Sequence, residues 1–142
     1  MHSRLLLFLL LTMSAVSIAL ITTALFLVLV ETDADIRREC RRQTGVSWGA
    51  LKTLRAADFR HNDEKLKCYV KCFLKKNGIF GETNIDIDKA LRHLPKSVQG
   101  ASKKALENCR NVPSTDPCDK AFQVVKCFFK AEPQIMRSVP FV

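Results

Sequence analysis

Six cysteines, all between positions 40 and 127 of a 142-residue chain, constrain this protein more than any other feature. An even cysteine set in a short chain staples a small domain if the compartment is oxidising; otherwise it signals metal binding or free thiols. The N-terminus points to the compartment. Arg4 is followed by 26 uncharged, mainly apolar residues, Leu5 to Val30, and then by Glu31-Thr32-Asp33-Ala34. A basic start, an apolar run and small residues at a cleavage point describe a secretory signal. Thr32 and Ala34 fit the small-x-small pattern, so residues 1–34 are expected to be removed and 35–142 to form the mature domain. A retained anchor is the alternative, because such a run is long enough to cross roughly 30 Å of hydrocarbon. Ser14, Ser17, Thr22 and Thr23 interrupt it, and Met13 offers a later start of conventional length. With either reading the rest of the chain meets an oxidising environment, and three disulfides are expected.

Without Arg4, Glu31 and Asp33 the mature part carries 22 basic and 12 acidic groups, a net of +10. A domain of this size buries roughly 65% of the surface its unfolded chain exposes, so its core is thin and crosslinks help it. Only His61 and His93 remain as histidines there, and neither forms a zinc pattern with a cysteine. No cofactor is expected.

The coarse pattern is helical throughout. A first helix is expected over Asp35–Gln43, ended by Gly45. A second starts after Ser47, a good N-cap, with Trp48, Leu51 and Leu54 inward at three-residue steps. A third starts near Asn62, with Asp63 and Glu64 favoured by the helix dipole. It runs to Asn77, burying Leu66, Tyr69, Val70, Phe73 and Leu74, with Gly78 as the stop. A fourth follows Asp86, with Ile87, Ala90, Leu91 and Leu94 inward, and stops at Pro95. A fifth runs from about Ser97 to Asn111, burying Val98, Ala101, Ala105 and Cys109, with Gly100 weakening its first turns. Asp116 and Pro117 open a sixth, which carries Phe122, Val125 and Phe129 to about Ala131. Pro133 and Pro140 keep the tail out of helix. The fold class is therefore a compact all-α domain of six helices.

Cys68 and Cys72 share one helix face about 40° apart, so each should reach a different neighbour. Cys118 and Cys127 lie on opposite sides of the sixth helix, roughly 13 Å apart along it, too far for a bond. Excluding those two pairs reduces the 15 possible pairings of six cysteines to ten. Helix geometry does not choose among the ten.

The spacing Cys40-x27-Cys68-x3-Cys72-x36-Cys109-x8-Cys118-x8-Cys127 resembles the six-cysteine signature of the insect odorant-binding proteins, the pheromone-binding and general odorant-binding family. Thr44-Gly45-Val46-Ser47 after the first cysteine, the block Asp63 to Cys72, Asp116-Pro117-Cys118 and Val125-Lys126-Cys127 agree with it. The resemblance covers the whole mature chain. It implies disulfides Cys40–Cys72, Cys68–Cys118 and Cys109–Cys127. It further implies an internal cavity holding a small hydrophobic molecule, an odorant, a pheromone or a similar semiochemical, carried through extracellular fluid.

The candidate lining is apolar: Leu51, Leu54, Phe59, Tyr69, Val70, Phe73, Leu91, Leu94, Val98, Phe122, Val125 and Phe129. Simple core packing is the alternative for each, since pocket walls are themselves mostly apolar. Tyr69, the only tyrosine, could hydrogen-bond a ligand oxygen or find a backbone partner instead. Phe141 joins the set because the corresponding tail covers the pocket in some relatives. His61 and His93 are the candidates for acid-triggered release, which is described for some members.

The basic balance departs from the resemblance, since many members are acidic. Arg37, Arg38, Arg41 and Arg42 flank Cys40, and Lys65, Lys67, Lys71, Lys75 and Lys76 are expected on the outer side of the third helix. A solvated charged face accounts for them; an anionic membrane surface or ligand headgroup is the sharper reading. Partners beyond the ligand are thus an olfactory receptor or a membrane surface, with no nucleic acid, and a monomer or weak homodimer is expected. Hydrolase chemistry is not expected, because HExxH, GxSxG and a phosphate loop are all missing from the sequence. A non-olfactory carrier and a cationic membrane-active defence protein are the other readings.

Overall fold

The computed structural model describes residues 16–18, 20, 33–61 and 63–137. The chain divides into two compact units, Met1–Thr32 and Asp33–Val142. Of the first, Val16, Ser17, Ile18 and Leu20 are described, and they are helical. Most of the expected signal segment, Asn62, and the tail with Phe141 lie outside the described residues. Among the described residues no helix is long and apolar enough to cross a membrane.

In the second unit, α1 (Asp33–Thr44), α2 (Trp48–Arg55), α3 (Glu64–Lys76), α4 (Ile87–Arg92), α5 (Lys96–Cys109) and α6 (Pro117–Ala131) are followed by a short 3-10 helix, Pro133–Arg137. The helix starts follow the capping residues. Ser47 Oγ accepts from the Ala50 N–H at 3.0 Å, Asp63 Oδ1 from the Lys65 and Leu66 N–H groups, Asp86 Oδ1 from Lys89 N–H, and Asp116 Oδ1 from Asp119 N–H. Each bond satisfies an N–H that the first helical turn leaves without a partner. Gly45 (φ 66°) and Gly78 (φ 69°) take the left-handed conformation that closes α1 and α3 at little steric cost.

The core is built around α6. It packs on α3, on α5 and on the 3-10 helix, while α1 packs on α3 and α4 on α5. Its buried set is Ala121, Phe122, Val124, Val125, Phe128 and Phe129, two adjacent stripes rather than one. A helix buried on both stripes belongs at the centre of a helical shell.

Three expectations about facing are corrected. Trp48, expected inward, is 63% exposed. It sits at the first position of α2 and lies under the Arg41 guanidinium, 4.2 Å from the ring centroid, so a cation–π contact on the surface replaces burial. On α5 the inner face is Ser102, Ala105, Leu106 and Cys109; Ala101 is exposed and Val98 only half-buried. The Cys109 bond and the seat against α6 set that rotation. Lys67, expected on the outer side of α3, is 5% exposed and ion-paired. The tail also differs: Pro133 opens a 3-10 turn, which buries Ile135.

Candidate functional site

The disulfides hold the helices in the pairing implied by the resemblance. Cys40–Cys72 ties α1 to α3, Cys68–Cys118 ties α3 to α6, and Cys109–Cys127 ties α5 to α6. Their Cα separations of 5.6, 4.6 and 5.6 Å lie within the range a disulfide spans without backbone movement. α3 and α6 are thus fixed at two points each, and the space left between their C-terminal halves is not free to collapse.

That space is a partly enclosed cavity of about 150 Å³. α3 contributes Phe73, Leu74 and Asn77. The loop after it contributes Ile79 and Ile85, α4 and its end Ala90, His93 and Leu94, α5 Leu106, and α6 Val124, Val125, Phe128 and Phe129. The loop is held as a wall by backbone bonds. Gly81 N–H donates to Asn84 O, Asp86 N–H to Ile79 O, and Phe80 and Ile85 form an antiparallel bridge. Asn77 and His93 are the polar residues of the lining; none of its described members carries a formal carboxylate, ammonium or guanidinium charge.

Of the residues expected to line a cavity, Phe73, Leu94, Val125 and Phe129 do so. Leu51, Leu54, Tyr69, Val70 and Phe122 are core residues packed away from it, and Leu91 and Val98 are half-buried against the core. Phe59 packs edge-on against Phe122 at 5.7 Å and stacks on Phe129 at 6.4 Å, and it is not part of the cavity lining. The Tyr69 ring stacks on Phe73 at 6.5 Å and is fully buried, and burial pushes its hydroxyl pKa up to about 12. It supports the wall from behind and stays protonated across physiological pH. His61 lines a shallow surface dent with Ser47 and Asp63, remote from the cavity lining.

Sequence reasoning left several lining residues out of the candidate set, Asn77 and Leu106 among them, and two groups show why. Ile79 and Ile85 belong to a loop, where helical periodicity has nothing to say. Val124 and Phe128 had a signal: the doublets Val124-Val125 and Phe128-Phe129 mark a helix apolar on two adjacent stripes.

Other depressions are wider but open. The one between Ala56–Arg60 and Lys126–Lys130 has a volume of about 650 Å³ and charged walls, so it offers an apolar molecule little shelter from water.

Three disulfides in this order and a partly enclosed apolar cavity among the helices agree with comparison to known proteins. Residues 29–131 match the PBP/GOBP family. The chain belongs to that family. It is 28% identical over 101 residues to general odorant-binding protein 56a of Drosophila melanogaster, covering 69% of this chain and 73% of that one. Among solved structures it resembles the fatty acid binding protein from the oral disk of the blowfly Phormia regina. There the TM-score is 0.60 at 28% identity, over 72% of this chain and 90% of that one. It also resembles odorant binding protein 7 of Anopheles gambiae, solved in complex with an azo compound, with TM-score 0.64 at 25% identity over 75% and 87% of the two chains. The Anopheles protein is described with four disulfide bridges. This family member closes three and leaves no free cysteine among its six.

Proposed function

We propose that the chain is a secreted carrier that takes up a small hydrophobic molecule, such as an odorant or pheromone, in the cavity between α3 and α6 and releases it unchanged. The observation that supports this most is the cavity itself. An empty apolar space costs stability, by about 24 cal/mol per Å³ in one measured series, and an apolar guest recovers part of it. The shell tolerates that cost because three disulfides restrict the unfolded chain. Residues 1–34 are removed on export in this reading, and 35–142 act in extracellular fluid, where the disulfides persist. Delivery to a membrane receptor is the corresponding end of the transport. A carrier outside olfaction is the second reading, favoured by the likeness to a fatty acid binding protein of a fly's oral disk.

The test is displacement of an apolar fluorescent probe from the oxidised protein and from Ala90→Phe. Ala90 is buried in the cavity wall, so the larger ring fills the space. Probe binding by the native protein and its loss in the variant, with helical content kept, is the expected result. Equal binding by both would place the ligand elsewhere, and lysis of vesicles without probe binding would favour the defence reading.

A further inference from the structure

Asn77 is the half-buried polar residue of this cavity's lining, and its amide orientation is determined. Its Nδ2 donates to the Phe73 carbonyl at 2.8 Å, while its own backbone N–H donates to the same oxygen at 3.1 Å. Turning the amide over would bring Oδ1 against that carbonyl, two acceptors with no hydrogen between them, which is repulsive. So one of the two Nδ2 hydrogens is engaged, and Oδ1, a strong acceptor, receives no hydrogen bond from the described residues. Asn77 is half-buried and lines the cavity. His93, the other polar lining residue, is exposed at its edge, where water serves it.

An acceptor without a donor in an apolar wall selects its guest. A ligand carrying a hydroxyl hydrogen pairs with Oδ1. A ligand that offers only an acceptor, such as a ketone or ester, has no hydrogen to give Oδ1, and a hydrocarbon likewise leaves Oδ1 without the water it had. A carboxylate finds no lysine or arginine among the described lining residues, so entering costs it hydration without an ion pair. Size adds a second filter. A cavity of about 150 Å³ lined by leucine, isoleucine and phenylalanine is right for a benzene-sized guest. A long-chain fatty acid is too large for it.

We infer that the cavity is selective for compact alcohols, monocyclic or short and branched, whose hydroxyl donates to Asn77 Oδ1. The inference rests on the carrier reading and names the ligand class for that same site. One net hydrogen bond at a partly wet site is worth about a fivefold difference in affinity.

Three ligands of one shape separate the terms: α-methylbenzyl alcohol, acetophenone and cumene, which carry a donor, an acceptor and a methyl group at the same position. Titration calorimetry on the full chain, expressed in insect cells and purified oxidised, is expected to show all three binding. The alcohol should bind about fivefold tighter than the other two. In Asn77→Leu the alcohol should fall to the level of cumene, while cumene is unchanged or improved. Equal affinity of alcohol and ketone in the native protein, which needs no variant, overturns the inference and leaves the carrier reading standing. So does a preference for the alcohol that survives Asn77→Leu, or tighter binding of palmitate than of the alcohol. Failure of all three ligands and of the fluorescent probe instead removes the carrier reading itself.

Discussion

Lys67 Nζ lies 3.0 Å from Asp119 Oδ1, and the two residues stand immediately beside Cys68 and Cys118, which form the disulfide between the same two helices. A covalent and an ionic crosslink therefore occupy one crossing point of α3 and α6. Glu64, one turn earlier on α3, approaches the same ammonium at 2.8 Å, and Ser114 donates to Asp119 Oδ2 at 2.8 Å. The Lys67 side chain is only 7% exposed, so both carboxylates are needed to compensate its lost hydration.

Removing one partner should expose that dependence. Asp119→Ala leaves Lys67 buried with Glu64 alone and is expected to cost about 2 kcal/mol. Lys67→Met, which keeps the stem and removes the charge, should cost less. Urea unfolding of both variants measures the difference, and equal losses would show that the buried charge is not the cause.

The same cluster gives stability a pH dependence. Hydrogen bonding by Lys67 first, and by Ser114 next, holds the Asp119 carboxyl below the usual aspartate range. Its contribution is complete above the ordinary aspartate pKa of about 3.9 and is lost as pH falls through the lowered folded value. Glu64, and then Asp119, hold the Lys67 ammonium above the usual lysine range. That contribution is complete below about 10.4 and fades as pH rises through the raised value. Unfolding free energy should therefore fall on acidification below about pH 4, and less steeply in Asp119→Asn. Parallel curves for the native protein and the variant would exclude Asp119 as a source.

The disulfides should differ in worth by the loops they close. Cys68–Cys118 spans 50 residues and Cys109–Cys127 spans 18. Chain-entropy arguments put their removal at about 4 and 3 kcal/mol. Paired Cys→Ala variants unfolded by denaturant should follow that order; a reversed order would mean that native packing, rather than loop closure, dominates.

Trp48 and Leu54 share α2 but not its environment. Trp48→Ala should change stability by about 1 kcal/mol or less, since the ring is exposed and loses only its contact with Arg41. Leu54, fully buried, should cost about 3 kcal/mol on truncation to alanine. Thermal melts of the two variants distinguish them, and a severe loss at Trp48 would contradict its exposed position.

Ser102 Oγ is buried and has no hydrogen-bond partner among the described residues. Ser102→Ala removes an unsatisfied polar group and suits a helix interior better, so a gain of about 1 kcal/mol is expected. A loss in the denaturation midpoint would show that the hydroxyl is satisfied in solution.

Much of the helical frame was legible without coordinates, because its signals are local. Ser47, Asp63, Asp86 and Asp116 mark helix starts by what a single side chain can do for the next three N–H groups. Gly45 and Gly78 mark stops by the one conformation that glycine adopts freely. Facing was less legible. Trp48 and Ala101 fit an inward period yet point outward, because a neighbouring guanidinium and a disulfide anchor settle how a helix turns about its axis. Lys67 looked like part of a charged outer face, and Asp119 on another helix, together with Glu64 on its own, makes its burial tolerable.

The sequence by itself determined the all-α class, the helix ends and, through cysteine spacing, the family. Each depends on a few residues close together or on fixed intervals between them. Tertiary structure alone decided where the cavity lies and what lines it. Its wall combines two stripes of α6 with a loop, Ile79 to Ile85, and with Asn77, whose amide orientation is set by the Phe73 carbonyl. A cavity is the space that packed elements fail to fill, so it depends on how the disulfides space the helices and not on the period of any one of them.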